Sequence, residues 1–370
     1  MEIAPYLKLM VDKNASDIYF SAGAPVHIKV EGKMLTVGET PLPPATVKAI
    51  CYSLFSEKQL KEFEDTMEMN LALALKDVGR FRVNVFRQRG EAAMVIRYIK
   101  SEIPSLNQLN LPPVLGGVIM EPRGLVLVVG ATGSGKSTTL ASMIDLRNRS
   151  QTGHILTIED PVEFLHSHKK SVVNQREVGL DTLSYEAALK NALREAPDVI
   201  LIGEIRDRQT MQHALAYAET GHLCLSTLHA NNANQALERI VNFFPESARE
   251  QLLLDLALNL KAVISQRLLQ GMGGKRVPAV EVLVPSPHIR DLIIKGEIAS
   301  VKEAMEQSAE PGMQTFDQAL YKLYKDGKVT ADEAIAHADS RNNLSLRIRL
   351  DGGGGNSETF LDVDGEDFDH

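Results

Sequence analysis

A glycine-rich loop between an apolar strand and a helix-like segment constrains this chain more than any other feature. Residues 130–138 read Gly-Ala-Thr-Gly-Ser-Gly-Lys-Ser-Thr and follow the apolar run at 125–129. The three glycines let the backbone curl so that several N–H groups point into one concavity, where the positive end of the following helix favours an anion. This spacing in this context predicts a phosphate-binding loop, so we expect the chain to bind a nucleoside triphosphate such as ATP.

The loop combines a backbone cradle with two side chains that have separate roles. Lys136 is expected to reach the outer phosphates, and the Ser137 hydroxyl is expected to ligate Mg²⁺. An ordinary glycine-rich turn before a core helix is the alternative, and the complete spacing disfavours it. The predicted nucleotide-binding residues are Gly130, Ala131, Thr132, Gly133, Ser134, Gly135, Lys136, Ser137 and Thr138.

The net charge of −8 is concentrated at one end of the chain. Residues 351–370 hold seven acidic residues and no basic one, so the preceding residues carry a charge of only −1. A nearly neutral body gives no support for an extended nucleic-acid footprint, and we expect no nucleic-acid partner. The acidic, glycine-rich tail is predicted to be disordered. We interpret it as an extension that increases solubility and has no specific partner.

Composition indicates a globular protein with room for two domains. The chain has 370 residues, of which 44% are hydrophobic, so each of two domains could have its own core. No apolar stretch approaches the roughly 18 residues that span a bilayer, and the first residues do not resemble a secretory signal. We therefore expect a cytoplasmic location without membrane insertion. Cys51 and Cys224 suggest neither a metal site nor a disulfide scaffold.

The order of strands, helices and breakers predicts an α/β protein. Residues 1–100 are expected to form a small mixed α/β domain, and 101–113 a proline-rich linker. Residues 114–350 are expected to form a nucleotide-binding domain with a largely parallel sheet and a helical C-terminal part. Residues 351–370 form the acidic tail.

Three local expectations follow from hydrophobic periodicity. A helical stretch is predicted at 44–64, a helix through 252–269, and a strand at 277–284. In the strand predicted at 79–87, Arg80 and Arg82 alternate with apolar residues, which indicates a basic face exposed to water.

Two acidic clusters follow predicted strands. The strand at 199–202 places Glu204 near its tip, where ligands bind in open α/β sheets, and Glu204 is our candidate for holding Mg²⁺ directly or through water. In the other cluster, Glu159, Asp160 and Glu163 repel one another unless cations offset them, which favours a catalytic role. Glu163 is the candidate to align or deprotonate the attacking water, although spacing alone leaves open which acid acts, and a plain acidic helix start competes.

Two histidines flank the strand predicted at 223–227. A lone histidine is more often a core residue than a catalyst. His222 and His229 lie beside the two acidic clusters, however, and an imidazole there can sense a γ-phosphate.

Together these motifs resemble the Walker A, Asp box, Walker B and His box of the secretion ATPases. The segments at 16–25 and 79–84 resemble the N-terminal domain of the type IV pilus retraction ATPases, the PilT/PilU family. The resemblance implies a PAS-like N-terminal domain, a RecA-like P-loop ATPase domain and a homo-hexameric ring.

The resemblance also assigns roles to individual residues. It implies Glu163 as the catalytic glutamate, Glu204 as the Walker B acid and His229 as the phosphate sensor. Arginines of the N-terminal domain reach the nucleotide in this family, and the candidates here are Arg80, Arg82 and Arg97.

Two departures refine the resemblance. Pilus-extension ATPases usually carry a four-cysteine zinc site, which this chain lacks, so extension is disfavoured. The PilT branch of the retraction family carries the signature Ala-Ile-Arg-Asn-Leu-Ile-Arg-Glu, whereas residues 288–295 read His-Ile-Arg-Asp-Leu-Ile-Ile-Lys. This variation favours the PilU branch, which implies a PilT-like retraction ATPase and the inner-membrane pilus platform as partners at the cytoplasmic face of the inner membrane.

Three functions remain open at this stage. The favoured one is a hexameric motor that uses ATP hydrolysis to retract pili. An ATP-dependent adaptor of a partner motor, with incidental hydrolysis, is the alternative. A nucleic-acid translocase is weakened by the nearly neutral body.

Overall fold

The part of the chain that the structure describes contains two β-sheets, one antiparallel and one largely parallel. The computed structural model describes residues 2–30, 32–76, 78–99, 102–308 and 310–352. Most of the predicted acidic tail and the first residue of the predicted linker lie outside these ranges. No helix in the described ranges is both long enough and apolar enough to cross a membrane.

The N-terminal sheet is antiparallel. Its strands are β1 (Asp17–Phe20), β2 (Val26–Val30), β3 (Lys33–Val37), β4 (Glu68–Leu75), β5 (Gly79–Gln88) and β6 (Glu91–Ile99). They lie in the order β3-β2-β1-β6-β5-β4. Along β5, Phe81 and Val83 are buried, while Arg80 and Arg82 lie on the opposite, half-exposed face. The predicted alternation is therefore confirmed.

Helices cover the apolar face of this sheet. They are α1 (Ala4–Asp12), α2 (Pro44–Ser53) and α3 (Glu57–Thr66). Met10, Val47 and Phe63 are buried together with the inward side chains of the strands. The helical stretch predicted at 44–64 consists of two helices, because α3 starts at a capping box in which the Ser56 hydroxyl accepts from the Gln59 N–H.

The P-loop sheet is parallel except at one edge. Its strands are β7 (Gly124–Val129), β8 (Gly153–Glu159), β9 (Ser171–Glu177), β10 (Val199–Ile202), β11 (Leu223–Leu228), β12 (Leu260–Gln270) and β13 (Arg276–Leu283). They lie in the order β13-β12-β7-β11-β10-β8-β9, with β12 and β13 antiparallel and the other neighbours parallel. The ends of β7, β8, β10 and β11 therefore meet at one carboxyl edge.

Helices pack on both faces of the P-loop sheet. They are α4 (Val114–Val118), α5 (Lys136–Ser150), α6 (Tyr185–Ala192), α7 (Arg208–Glu219), α8 (Ala233–Asn242), α9 (Arg249–Asn259), α10 (Pro287–Ile294), α11 (Val301–Glu306), α12 (Phe316–Lys325), α13 (Ala331–Ala336) and α14 (Arg341–Gly352). Leu125 and Leu127 of β7 face the cluster that includes α6 to α11, and Val126 and Val128 face the cluster of α4 and α5. Such two-sided burial explains the continuous apolar run of β7.

The prediction of a helix through 252–269 is wrong in its second half. Helix α9 ends at Asn259, and β12 begins at Leu260 and pairs in parallel with β7. The apolar composition of this stretch suits either structure, and its β-branched Val263 and Ile264 are buried inside the sheet. The strand predicted at 277–284 is confirmed as β13. Strands β3, β4 and β9 were not predicted.

Candidate active site

The phosphate-binding loop joins β7 to α5 and is shaped by glycines with positive φ. Gly130, Gly133 and Gly135 have φ angles of 153°, 79° and 93°, which side chains rarely permit. A Cβ atom on Gly130 would lie 2.6 Å from the backbone oxygen of Gln266, and one on Gly135 would lie 2.7 Å from Gln266 Nε2. Glycine is therefore required where the loop runs against β12.

Gln266 of β12 supports the loop. Its Oε1 accepts a hydrogen bond of 2.7 Å from Thr139 Oγ1, and both residues are buried. Sequence reasoning missed Gln266 because it placed this segment in a helix. Only the parallel pairing of β12 with β7 brings the residue beside the loop.

Lys136 is the first residue of α5 and folds back over the loop. Its Nζ donates to the carbonyl oxygens of Gly130 at 2.8 Å and Ala131 at 2.9 Å. Burial lowers the pKa of Lys136, and the charge of Glu204 opposes that change. The ammonium is thus held beside the anion cradle.

The remaining loop residues differ in exposure. Ser137 is exposed in the first turn of α5, whereas Ser134 is buried and its Oγ has no hydrogen-bond partner within the described ranges. The loop residues that line the adjacent cleft are Thr132, Gly133, Gly135, Lys136, Ser137 and Thr138. Ala131 and Thr132 are exposed.

The acidic segment after β8 places two carboxyl groups in different surroundings. Glu159 accepts a hydrogen bond of 2.6 Å from Thr157 Oγ1, and burial raises the pKa of Glu159 to about 7. Glu163 is exposed at the cleft, after a cis peptide bond between Asp160 and Pro161. Because Glu159 is partly protonated near neutral pH, the repulsion expected in this cluster is reduced.

Glu204 and His229 meet at the ends of neighbouring strands. Glu204 Oε1 lies 3.2 Å from His229 Nε2, and Glu204 Oε2 accepts a hydrogen bond of 2.7 Å from Arg206 Nε. Glu204 is largely enclosed, while His229 and Arg206 are more exposed. The structure therefore brings two predicted site residues into direct contact.

The three candidate arginines have different surroundings. Arg97 of β6 lines the cleft, and its Nε donates to Asp17 Oδ1 at 2.8 Å. This hydrogen bond raises the pKa of Arg97, and the nearby charge of Glu163 adds to the rise. Arg82 instead forms an ion pair with Glu177, and Arg80 does not line the cleft. The orientation of Arg97 by the buried Asp17 was not predicted.

One cleft of about 670 Å³ unites these groups. It lies between the start of β1 and the end of β6, the two central strands of the N-terminal sheet, and the carboxyl edge of the P-loop sheet. Its lining includes Lys136, Glu163, Glu204, His229 and Arg97. The arrangement provides an anion cradle, the enclosed carboxylate of Glu204, the exposed carboxylate of Glu163, and the guanidinium group of Arg97 from the N-terminal sheet.

Neighbouring polar residues have structural roles. His222 lies at the amino end of β11, away from the cleft, where its ring is within 3.1 Å of Thr220 Oγ1. Asp207 and Asn232 cap the N-termini of α7 and α8 by accepting backbone N–H bonds. Of the two histidines, only His229 lies at the site.

Comparison with known proteins agrees with this geometry. A family model described as "Type II/IV secretion system protein" matches residues 2–335. The chain belongs to this family. It is 52% identical to the type IV pilus ATPase PilU of Pseudomonas aeruginosa, with 95% of this chain and 92% of that protein covered.

Two further matches concern PilT. The chain is 43% identical to the type IV pilus retraction ATPase PilT of Pseudomonas aeruginosa, over 93% of this chain and all of that protein. A crystal structure of the pilus retraction motor PilT with bound ADP matches with a TM-score of 0.87 and 43% identity, over 94% of this chain and 99% of that one. The predicted fold class, an N-terminal α/β domain with a P-loop ATPase domain, is confirmed.

Proposed function

We propose that this chain is an ATPase that powers or assists type IV pilus retraction. The observation that carries the proposal is the convergence of Lys136, Glu163, Glu204 and His229 on one cleft, with Arg97 on the opposite wall. A phosphate loop alone binds nucleotide, whereas hydrolysis also needs groups that manage Mg²⁺ and orient water. The residues that line the cleft include candidates for both tasks.

Nucleotide binding would use the loop backbone and Lys136. The N–H groups between Gly130 and Ser137 would hold the phosphates, and Lys136 Nζ would exchange the carbonyl oxygens it now contacts for phosphate oxygens. Because these carbonyls already hold the lysine at the loop, little reorganisation is needed. The ADP-bound PilT structure supports the same ligand class here.

The residues present suit Mg²⁺. The exposed hydroxyl of Ser137 and the carboxylate of Glu204 both line the cleft, and Mg²⁺ prefers such oxygen ligands. Ser137 would hold the ion directly, and Glu204 directly or through water. When bound, Mg²⁺ neutralises charge on the phosphate oxygens.

Glu163 is the residue we assign to water activation. Its carboxylate is exposed to the cleft, so it can accept a hydrogen bond from a water molecule. Arg97 lies near Glu163 and is oriented by Asp17, which suits a role in stabilising phosphate charge. His229 contacts Glu204, and we assign it to sensing the γ-phosphate.

The retraction assignment rests on the relatives. The similarity to PilU and PilT supports a homo-hexameric ring that works with a PilT-like ATPase. The ring would act on the inner-membrane pilus platform from the cytoplasmic side. The altered signature at 288–295 favours the PilU-like role of a second retraction ATPase.

The biochemical test compares matched variants of the purified protein. We expect Lys136→Ala to lose nucleotide binding and turnover, and Glu163→Gln to keep nucleotide binding but lose most turnover. Glu238→Gln, which removes an exposed carboxylate of α8 outside the cleft, is the control and should behave as wild type. Full turnover by Glu163→Gln would refute the role of Glu163.

The cellular test is deletion in a piliated cell with and without its PilT-like ATPase, scored by retraction force and surface motility. We expect lower force or motility in at least one background, restored by wild type and not by Glu163→Gln. Restoration by the folded but inactive variant would instead indicate an ATP-dependent adaptor. An unchanged phenotype in both backgrounds would remove the pilus assignment.

A further inference from the structure

Glu177 is a buried carboxylate at the end of β9 that the proposed reaction does not use. Its side chain is 3% exposed, and its Oε1 lies 3.4 Å from Nε of Arg82. Arg82 belongs to β5 of the N-terminal sheet, so this ion pair joins the two sheets. A buried carboxylate is costly when its charge has no partner, which makes Glu177 sensitive to the position of Arg82.

The other oxygen of Glu177 holds the acidic loop. Glu177 Oε2 accepts a hydrogen bond of 3.1 Å from the backbone N–H of Val162, the residue directly before Glu163. Glu177 therefore contacts the N-terminal sheet through one oxygen and the loop of Glu163 through the other.

The backbone of Glu177 is firmly placed. Its N–H donates to Asp181 Oδ2 at 2.9 Å, and the N–H of Val178 donates to the carbonyl oxygen of Glu159 at 2.9 Å. Because Glu177 stands opposite Glu159 in the β8–β9 register, the carboxylate is fixed beside the segment that leads to Glu163. The part of this connection that can change is therefore the contact with Arg82.

Arg82 and Arg97 stand opposite each other in the β5–β6 register. Arg97 lines the cleft, and Arg82 reaches Glu177. A movement of the N-terminal sheet would therefore displace both guanidinium groups together. Displacement of Arg97 would change the charge on the cleft wall, and displacement of Arg82 would remove the ion pair that supports the Glu163 loop.

We propose that Glu177 is a positioning residue that couples the placement of the N-terminal sheet, through Arg82, to the position of Glu163. The inference rests on the proposed ATPase function. When Arg82 pairs with Glu177, the carboxylate is oriented to hold the Val162 N–H, and Glu163 is held for water activation. When the sheet moves away, the pair breaks and the Glu163 loop loses this support.

The test is a double-mutant cycle on ATP turnover with Arg82→Ala, Glu177→Gln and the combined variant. Glutamine keeps an acceptor for the Val162 N–H but removes the charge that Arg82 recognises. We expect each single variant to lower kcat by about fivefold or more, with KM and nucleotide affinity within about twofold of wild type. The kcat of the double variant should be no lower than that of the less active single variant, because both substitutions break the same connection.

Arg82→Lys and Arg87→Ala are the matched variants. Lysine retains the charge and should restore part of kcat, which a purely steric role of Arg82 would not predict. Arg87→Ala breaks an ion pair with Glu64 inside the N-terminal domain and should leave kcat unchanged. Thermal unfolding of every variant identifies losses caused by misfolding.

Separate outcomes address the inference and the function on which it rests. If the two substitutions together lower kcat by the product of their separate effects, the coupling is overturned. A changed KM with an unchanged kcat would overturn it as well. Neither outcome contradicts the ATPase assignment. If Glu177→Gln does not fold, the Arg82 variants still decide the question. Equal kcat values for Arg82→Ala, Arg82→Lys and wild type would then overturn the coupling. An inactive wild-type protein would contradict the proposed function.

Discussion

Glu204 Oε1 lies 3.2 Å from His229 Nε2, so a carboxylate that follows β10 meets an imidazole that follows β11. The two strands are parallel neighbours, with Ile202 opposite Ser226. The parallel pairing therefore brings the two chain segments that carry these side chains to the same edge of the sheet. The charge of Glu204 also acts on Lys136, so Glu204 lies between the phosphate loop and His229 in the electrostatics of the site.

We expect His229→Ala to lower kcat by about tenfold or more while changing nucleotide affinity little, because preorganised polar groups act mainly on the transition state. Steady-state ATPase assays and equilibrium nucleotide binding measure the two quantities. His222→Ala is the control, since His222 lies at the opposite end of β11. Equal losses in both variants would indicate damage to the strand instead of to the site.

Gly130 and Gly133 should differ in their tolerance of alanine. A Cβ on Gly130 would lie 2.6 Å from the backbone oxygen of Gln266, whereas one on Gly133 would meet no atom within 4 Å. Gly133→Ala should therefore carry only the left-handed backbone cost of about 1–2 kcal/mol. We expect Gly130→Ala to weaken nucleotide binding at least about tenfold more than Gly133→Ala, as measured by titration with a fluorescent nucleotide. The reverse order would contradict this account of the loop.

Asp17 should affect turnover through Arg97. Asp17 is buried, accepts from Arg97 Nε at 2.8 Å, and accepts from Ser16 Oγ at 2.8 Å. We expect Asp17→Asn to lower kcat by about threefold to tenfold, because the charge-assisted bond that orients Arg97 is lost. In an Arg97→Ala background the same change should have little further effect on kcat. An undiminished effect in that background would show that Asp17 acts independently of Arg97.

The sequence was informative where function requires a residue type at a fixed spacing. The phosphate loop, Glu204 and His229 each follow an apolar strand, and parallel pairing of those strands brings them to one edge. The resemblance to a known family added roles that spacing alone could not assign, such as the choice of Glu163 among three neighbouring acids.

Contacts between distant segments could not be predicted in the same way. Gln266 supports the phosphate loop only because β12 pairs with β7, and the local sequence favoured a helix. Asp17 and Glu177 form ion pairs with Arg97 and Arg82, which are remote from them in sequence, so no local pattern identified these contacts. Arg82 and Arg97 stand opposite each other on β5 and β6. Only the packing of the two sheets shows that Arg82 contacts Glu177 whereas Arg97 contacts Asp17.

The buried carboxyl group of Glu281 should make stability depend on pH. Glu281 Oε1 accepts from the Ala233 N–H at 2.7 Å and from Ser265 Oγ at 2.9 Å. Burial raises the pKa of Glu281 from 4.5 to about 7; Asp339 adds to the rise, and Arg267 opposes it. The folded protein therefore holds this proton more tightly than the unfolded chain does.

The sign of the effect follows from this difference in proton binding. The contribution of Glu281 to stability is greatest below pH 4.5, falls as the pH rises to about 7, and is constant above that pH. In Glu281→Gln the amide oxygen can accept both hydrogen bonds without titrating. We expect the stability of this variant relative to wild type to rise by about 3 kcal/mol between pH 4.5 and pH 8. Urea unfolding across this range measures the change, with exposed Glu57→Gln as the control. A pH-independent difference between Glu281→Gln and wild type would refute the raised pKa.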